Sequence, residues 1–231
     1  MNSTNLQHIY SRRFDAQEKY RNRVWRVLVD DFFQALVPAD GAVLDMGCGY
    51  GQFINNIAAA KKFAMDLNPQ AQQHLAKGVT LFQQDCSTAW PLPDKFLDVV
   101  FSSNFFEHLP SKPSLEDSIR QAARCLKPGG RLIAMGPNAR IIPGAYWDFW
   151  DHHIPLTERA VVELFEINGF TIDRAVARFL PYTMVKKRES PLLFLKIYIR
   201  VPLVWQFFGH QFLVVGRKSE TVRTSPTQFP E

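Results

Sequence analysis

Short apolar runs alternate with longer amphipathic stretches along most of this chain. Between residues 8 and 37, Val24, Leu28 and the 32–36 segment keep a helical rhythm that Pro38 stops, which predicts one long helix or two. Compact apolar runs then predict strands at 42–46, 62–66, 79–84, 97–104, 131–135, 170–179 and 211–216. Helices are expected between them. One runs from Phe53 to about residue 60, and one opens at Asn68-Pro69 with Asn as N-cap and Pro at the first helical position. A third spans 115–126, behind a Ser114-x-x-Asp117 capping box, and a fourth spans 157–168, with Thr157 as cap and Gly169 as terminator. Strand–helix alternation of this kind predicts an α/β, doubly wound, mostly parallel sheet.

The segment from 190 to 209 breaks the alternation. It is apolar except for Lys196, Arg200 and Gln206, and Pro202 divides it. It is too short and interrupted to span a bilayer. Core packing or a homodimer face is the first expectation for it; an interfacial helix pair with Lys196 and Arg200 at lipid headgroups is the second. The expected organisation is an N-terminal helical cap (1–40), an α/β domain (41–218, with the apolar insert at 187–209) and a flexible tail (219–231).

Composition changes little. The 231 residues carry 46% hydrophobic and 21% charged side chains, as in ordinary globular proteins. A net charge of +5 without any long basic run does not by itself indicate nucleic acid. Three scattered cysteines, Cys48, Cys86 and Cys125, show no metal spacing and no disulfide framework, and the first residues have no apolar signal core. A cytoplasmic location, peripheral to membrane at most, is therefore expected, with no metal site.

The chemistry concentrates after the first strand, at Asp45-Met46-Gly47-Cys48-Gly49-Tyr50-Gly51-Gln52. Three alternate glycines between a strand and a helix make a turn whose backbone a ligand can approach, with unpaired N–H groups expected at the helix start. A dinucleotide fingerprint needs a third glycine where Gln52 stands, which argues against a nicotinamide oxidoreductase, and a phosphate loop needs a lysine that is missing. Asp66 and Asp85 fall at the ends of the second and third strands, the sheet edge where open α/β folds bind ligands.

With Asp45 ahead of it, the glycine turn resembles the first motif of class I S-adenosylmethionine-dependent methyltransferases. Two later stretches are similar to the same family: Asp98-Val99-Val100 followed by Glu107-His108-Leu109, and Leu126-Lys127-Pro128-Gly129-Gly130. The resemblance implies a seven-stranded sheet with an antiparallel last strand, the apolar insert just before it, and S-adenosylmethionine as cofactor. It implies that Asp45 and the turn residues Gly47, Cys48, Gly49 and Gly51 hold the methionine part. Asp66, followed by Leu67, would bind ribose; Asp85 and the N–H of Cys86 would meet adenine; Asn104 would line the path to the methyl group.

The expected reaction is O- or N-methylation of a small-molecule or sugar- or lipid-linked acceptor by in-line displacement. The alternative is a non-catalytic cofactor-binding or membrane-associated scaffold. Nucleic acid is not expected as a partner, since no N-P-P-[YF] loop for a flipped base is present. For a general base, His152 or His153 ranks first and His108 second. Tyr146, Trp147, Phe149 and Trp150 are candidates for an aromatic wall at the acceptor, or for core.

Overall fold

The structure, a computed structural model, describes residues 18–182 and 191–220. The expectations for 1–17, the start of the insert at 187–190 and the tail from 221 fall outside the described residues.

A seven-stranded sheet runs through the molecule in the order β3-β2-β1-β4-β5-β7-β6. The strands are β1 (Ala42–Met46), β2 (Lys61–Met65), β3 (Val79–Phe82), β4 (Leu97–Ser103), β5 (Leu126–Pro137), β6 (Phe170–Val176) and β7 (Gln211–Lys218). β3, β2, β1, β4 and β5 pair in parallel, and β7 lies antiparallel between β5 and β6. This is the doubly wound architecture the sequence pattern predicts.

Side chains alternate between two faces because successive strand residues point opposite ways. Leu44, Met46, Val100, Leu132, Ala134 and Val214 pack on one side with Leu115, Ile119 and Ala122 of α4 (Lys112–Cys125) and Val161 and Phe165 of α5 (Glu158–Ile167). Val43, Val99, Phe101, Ile133, Leu213 and Val215 pack on the other. There they meet Leu28 and Val29 of α1 (Glu18–Asp31), Phe53 and Ile54 of α2 (Gln52–Asn56), and single residues of α6 (Leu192–Arg200) and α7 (Pro202–Phe208). A further short helix, α3 (Ala71–His74), follows β2.

Several boundaries differ from the sequence reading, each for a local reason. α2 stops at Asn56 rather than near residue 60, because the Gln34 amide bonds both the N–H (2.9 Å) and the C=O (3.1 Å) of Ala58 and draws the chain out of helix. α4 starts at Lys112, since Ser111 rather than Ser114 is the cap, its Oγ accepting from the Ser114 N–H, with Pro113 in the first turn. Asn68 caps a turn, its Oδ1 accepting from Gln70 N (3.0 Å), and α3 begins only at Ala71. The Lys-Pro-Gly-Gly stretch is a bulge inside β5, between the Leu97–Leu126 and Val99–Arg131 pairs.

The apolar insert is a helix pair, but core packing accounts for little of it. Ile199 and Trp205 are buried, whereas Leu193, Phe194, Ile197, Leu203, Phe207 and Phe208 are each more than half exposed. α6 lies against α1, with Arg200 paired to Asp31.

Candidate functional site

β1 is buried along its whole length and ends in the glycine turn. Gly47, Gly49 and Gly51 all have positive φ (72°, 54° and 69°). At Gly47 a Cβ would lie 2.2 Å from the Phe105 ring, and at Gly51 2.5 Å from Leu75 Cδ2. Only glycine fits such positions without strain.

Within the turn itself, the glycine and cysteine N–H groups are already paired. Gly47 and Cys48 donate to Met65 O (2.9 and 3.2 Å), and Gly51 donates to Cys48 O (2.8 Å). Gly49 donates to Asp66 Oδ2 (2.8 Å). The reason is tertiary: the end of β2 runs alongside the turn and its last carbonyl and first acid absorb the donors. The ends of β1 and β2 add acidic acceptors beside the turn.

Two of those acceptors are buried acids. Asp45 receives the Ile54 N–H, and burial, with the Asp66 charge adding to it, raises its pKa to about 8. Asp66 also accepts from Asn68 N (2.8 Å) through Oδ1, and burial pushes its pKa up as well. Asp66 therefore braces the turn instead of standing open at the strand end. The Leu67 N–H bears on the same carboxylate, so most of its acceptor sites are already engaged.

Leu67 beside it is exposed. Asp85 Oδ1 accepts from both the N–H and the hydroxyl of Ser87 (2.8 Å each). Cys48 and Cys86 are buried thiols pushed further up by burial, and the Cys86 carbonyl accepts the Trp90 indole N–H (2.8 Å).

Asn104, just past β4, also has positive φ (50°), which is uncommon outside glycine and concentrates at functional sites. Its N–H donates to Met135 O (2.8 Å) and its Nδ2 to Ser103 Oγ (2.9 Å). Its Oδ1 is buried and finds no hydrogen-bond partner among the described residues. An orphaned buried acceptor and a donor-depleted turn over two acids fit a ligand that carries N–H groups and positive charge. They fit a pyrophosphate poorly.

A second group lies at the same sheet edge. Glu107 and His108 follow β4 in a 3₁₀ turn, and the loop after β5 brings Asp151 and His152 to them. The loops are clamped by the Glu107 carbonyl, which accepts from His153 N (2.7 Å) and Ile154 N (3.3 Å). His108 Nδ1 lies 3.2 Å from Asp151 Oδ2 and 3.0 Å from Asp151 O. The His108 and His152 rings meet edge to face at 4.8 Å. Burial raises the Glu107 pKa. His108 is raised too: burial opposes this, but Asp151 and Glu107 outweigh it.

Of the three candidate histidines, the fold joins His108 and His152, while the His153 side chain is exposed. The aromatic stretch divides as well. Tyr146 is core and its hydroxyl bonds the Ile154 carbonyl, Phe149 stacks on His152 (5.1 Å), and Trp147 and Trp150 face solvent. Sequence reading passed over Glu107 and Asp151 as site residues. The Glu107-His108 pair was legible only as part of a motif.

A sheet of this order, antiparallel only at β7, with a glycine turn after β1 and acids at the ends of β1 and β2, defines the class I S-adenosylmethionine-dependent methyltransferase fold. The methyltransferase-domain family matches residues 17–175, and the chain belongs to it. It is similar to a probable chloroplastic tocopherol O-methyltransferase of Oryza sativa subsp. japonica, 28% identical over 55% of this chain and 40% of that one. It is also similar to the 27-O-demethylrifamycin SV methyltransferase of Amycolatopsis mediterranei, 30% identical over 41% of this chain and 38% of that one. The match thus spans about two fifths of the length of each of these relatives. A crystal structure of a SAM-dependent methyltransferase from Archaeoglobus fulgidus superposes with a TM-score of 0.64 at 20% identity, covering 87% of this chain and 97% of that one.

Proposed function

We propose that this chain is an enzyme that uses S-adenosylmethionine to methylate a hydroxyl or amine of a small-molecule or sugar- or lipid-linked acceptor. The observation that carries this reading is the donor-depleted glycine turn over Asp45 and Asp66. When bound, the cofactor supplies a methyl group on positive sulfur, so the leaving group is already good. The chain's part is to place and orient. The 47–51 turn and Asp45 hold the charged amino acid end, Asp66 and Asp85 the ribose and adenine, and Asn104 the approach to the methyl group. An acceptor entering past β4 and β5 meets His108, His152 and Phe149; Phe149 helps to exclude water, and an imidazole takes up the proton. The names of the two relatives, a tocopherol O-methyltransferase and a rifamycin methyltransferase, support a small-molecule acceptor.

Calorimetry tests the reading. S-adenosylmethionine binds in the micromolar range, and Gly49→Arg abolishes it; no binding to the wild-type chain ends the proposal. Binding with no turnover across hydroxyl and amine acceptors favours the scaffold alternative.

One observation favours a lipid-linked acceptor. The outward face of α6 and α7 is apolar, and three cations, Arg23, Arg26 and Lys196, line the groove beside it with a single acid, Asp30. This pair leads through Gly209 and His210 directly into β7, and His210 O accepts from Asn138 N at the end of β5, the acceptor edge. A helix pair lying on an anionic membrane surface suits that pattern. No helix among the described residues is long and apolar enough to cross a membrane.

A further inference from the structure

Glu107, His108 and His152 each offer one ligand atom, and these atoms all lie within 4.8 Å of one another. Among the described residues this is the one group of three metal-ligating side chains so gathered. We infer that it is a binding site for one divalent first-row transition cation, Zn²⁺ or Mn²⁺ by ligand type, at the acceptor edge of the sheet.

The donor set is two imidazoles and one carboxylate. Such a set leaves coordination positions open for water or substrate, as in catalytic rather than structural sites. The supporting groups are in place. Asp151 holds His108 through Nδ1, which leaves Nε2 to serve as the ligand atom, the carboxylate–histidine arrangement that orients metal ligands. Tyr146 and Phe149 flank the His152 ring at 4.8 and 5.1 Å and fix its plane. The two ligand-bearing loops are tied by the Glu107 carbonyl. A Cβ on Gly136 would lie 3.4 Å from Glu107 Oε2, so the carboxylate sits against the end of β5, beside the expected acceptor path.

Two buried carboxylates facing two imidazoles form a cage for positive charge, and the competing occupant is a proton. A cation there gives the site a further role, which rests on the methyl-transfer reading and takes the place of proton uptake by the two imidazoles, whose lone pairs it occupies. An acceptor hydroxyl placed on the open position loses its proton to water more readily, and its oxygen becomes the better nucleophile.

The test uses the full chain stripped with chelator, without S-adenosylmethionine. ZnCl₂ is titrated by calorimetry, and CoCl₂ is followed by its visible absorption. One equivalent per chain is expected. Asp151→Asn should weaken Zn²⁺ binding by roughly ten- to a hundredfold, as lost supporting carboxylates do. Glu107→Gln and His152→Ala should weaken it at least as much, and His153→Ala should not. Absent binding by the wild type, or binding unchanged in Glu107→Gln and His152→Ala, overturns the inference. Should a variant fail to fold, the wild-type Co²⁺ spectrum decides, since it must show nitrogen and oxygen ligands at one equivalent. Cofactor affinity is measured on the same samples. Intact S-adenosylmethionine binding with no metal binding removes this inference and leaves the methyltransferase reading standing.

Discussion

Asp45 offers a sharp test of how the glycine turn holds a charged ligand. Burial raises its pKa from 3.8 to about 8. At neutral pH the empty site therefore keeps Asp45 protonated, about nine tenths so at pH 7 if the pKa is 8. A cation placed within about 4–6 Å lowers a carboxylate by 1–3 units. Binding the cofactor should then expel between about 0.4 and 0.9 of a proton at pH 7, and almost none above pH 9.5.

Calorimetry in phosphate and in Tris, whose ionisation enthalpies differ, reads that proton directly. The cofactor's own amino group also titrates near pH 8, but its uptake of a proton has the opposite sign. The comparison is with Asp45→Asn, which has no proton to lose. A wild-type enthalpy independent of buffer at pH 7, or a slope equal to that of the variant, refutes the reasoning.

The same shift fixes a stability trend. A carboxylate whose folded pKa lies above its unfolded value stabilises the fold below pH 4, and that stability is lost as pH rises toward 8. At about 1.4 kcal/mol per unit the cost of ionising it is on the order of 6 kcal/mol, an upper bound. The free protein should melt lower at pH 8.5 than at pH 6, and Asp45→Asn should flatten the trend while weakening cofactor binding without abolishing it.

Two further outcomes follow from packing. Gly47→Ala places a methyl 2.2 Å from the Phe105 ring at a φ of 72°, and should cost at least about 2 kcal/mol in urea unfolding; an unchanged midpoint would show that the turn can relax. The chain should sediment with anionic vesicles. Phe207→Ser with Phe208→Ser should weaken this by roughly tenfold per side chain, at 1.5–3 kcal/mol for each fully buried ring. Equal sedimentation of both forms, or a concentration-dependent dimer with no vesicle binding, reassigns the face of α6 and α7.

Local pattern was enough for much of this. Alternating glycines permit the left-handed φ that the turn needs, and short, mostly apolar runs such as 97–103 suit strands of a sheet covered on both faces. The three motifs and their order therefore carried the family and the sheet. Helix ends were less legible. α2 is cut short by Gln34, from another element, and α4 is capped by Ser111 where the local pattern favoured Ser114.

Tertiary structure alone decided the electrostatics and the second site. The turn donors are consumed by Met65 and Asp66 from a neighbouring strand, and Asp45 is a neutral acid because everything around it is buried. His108 meets Asp151 and His152 across more than forty positions of chain because β4 and β5 end side by side. Periodicity encodes which face of an element is apolar. It does not encode which polar groups two loops will bring together once that face is buried.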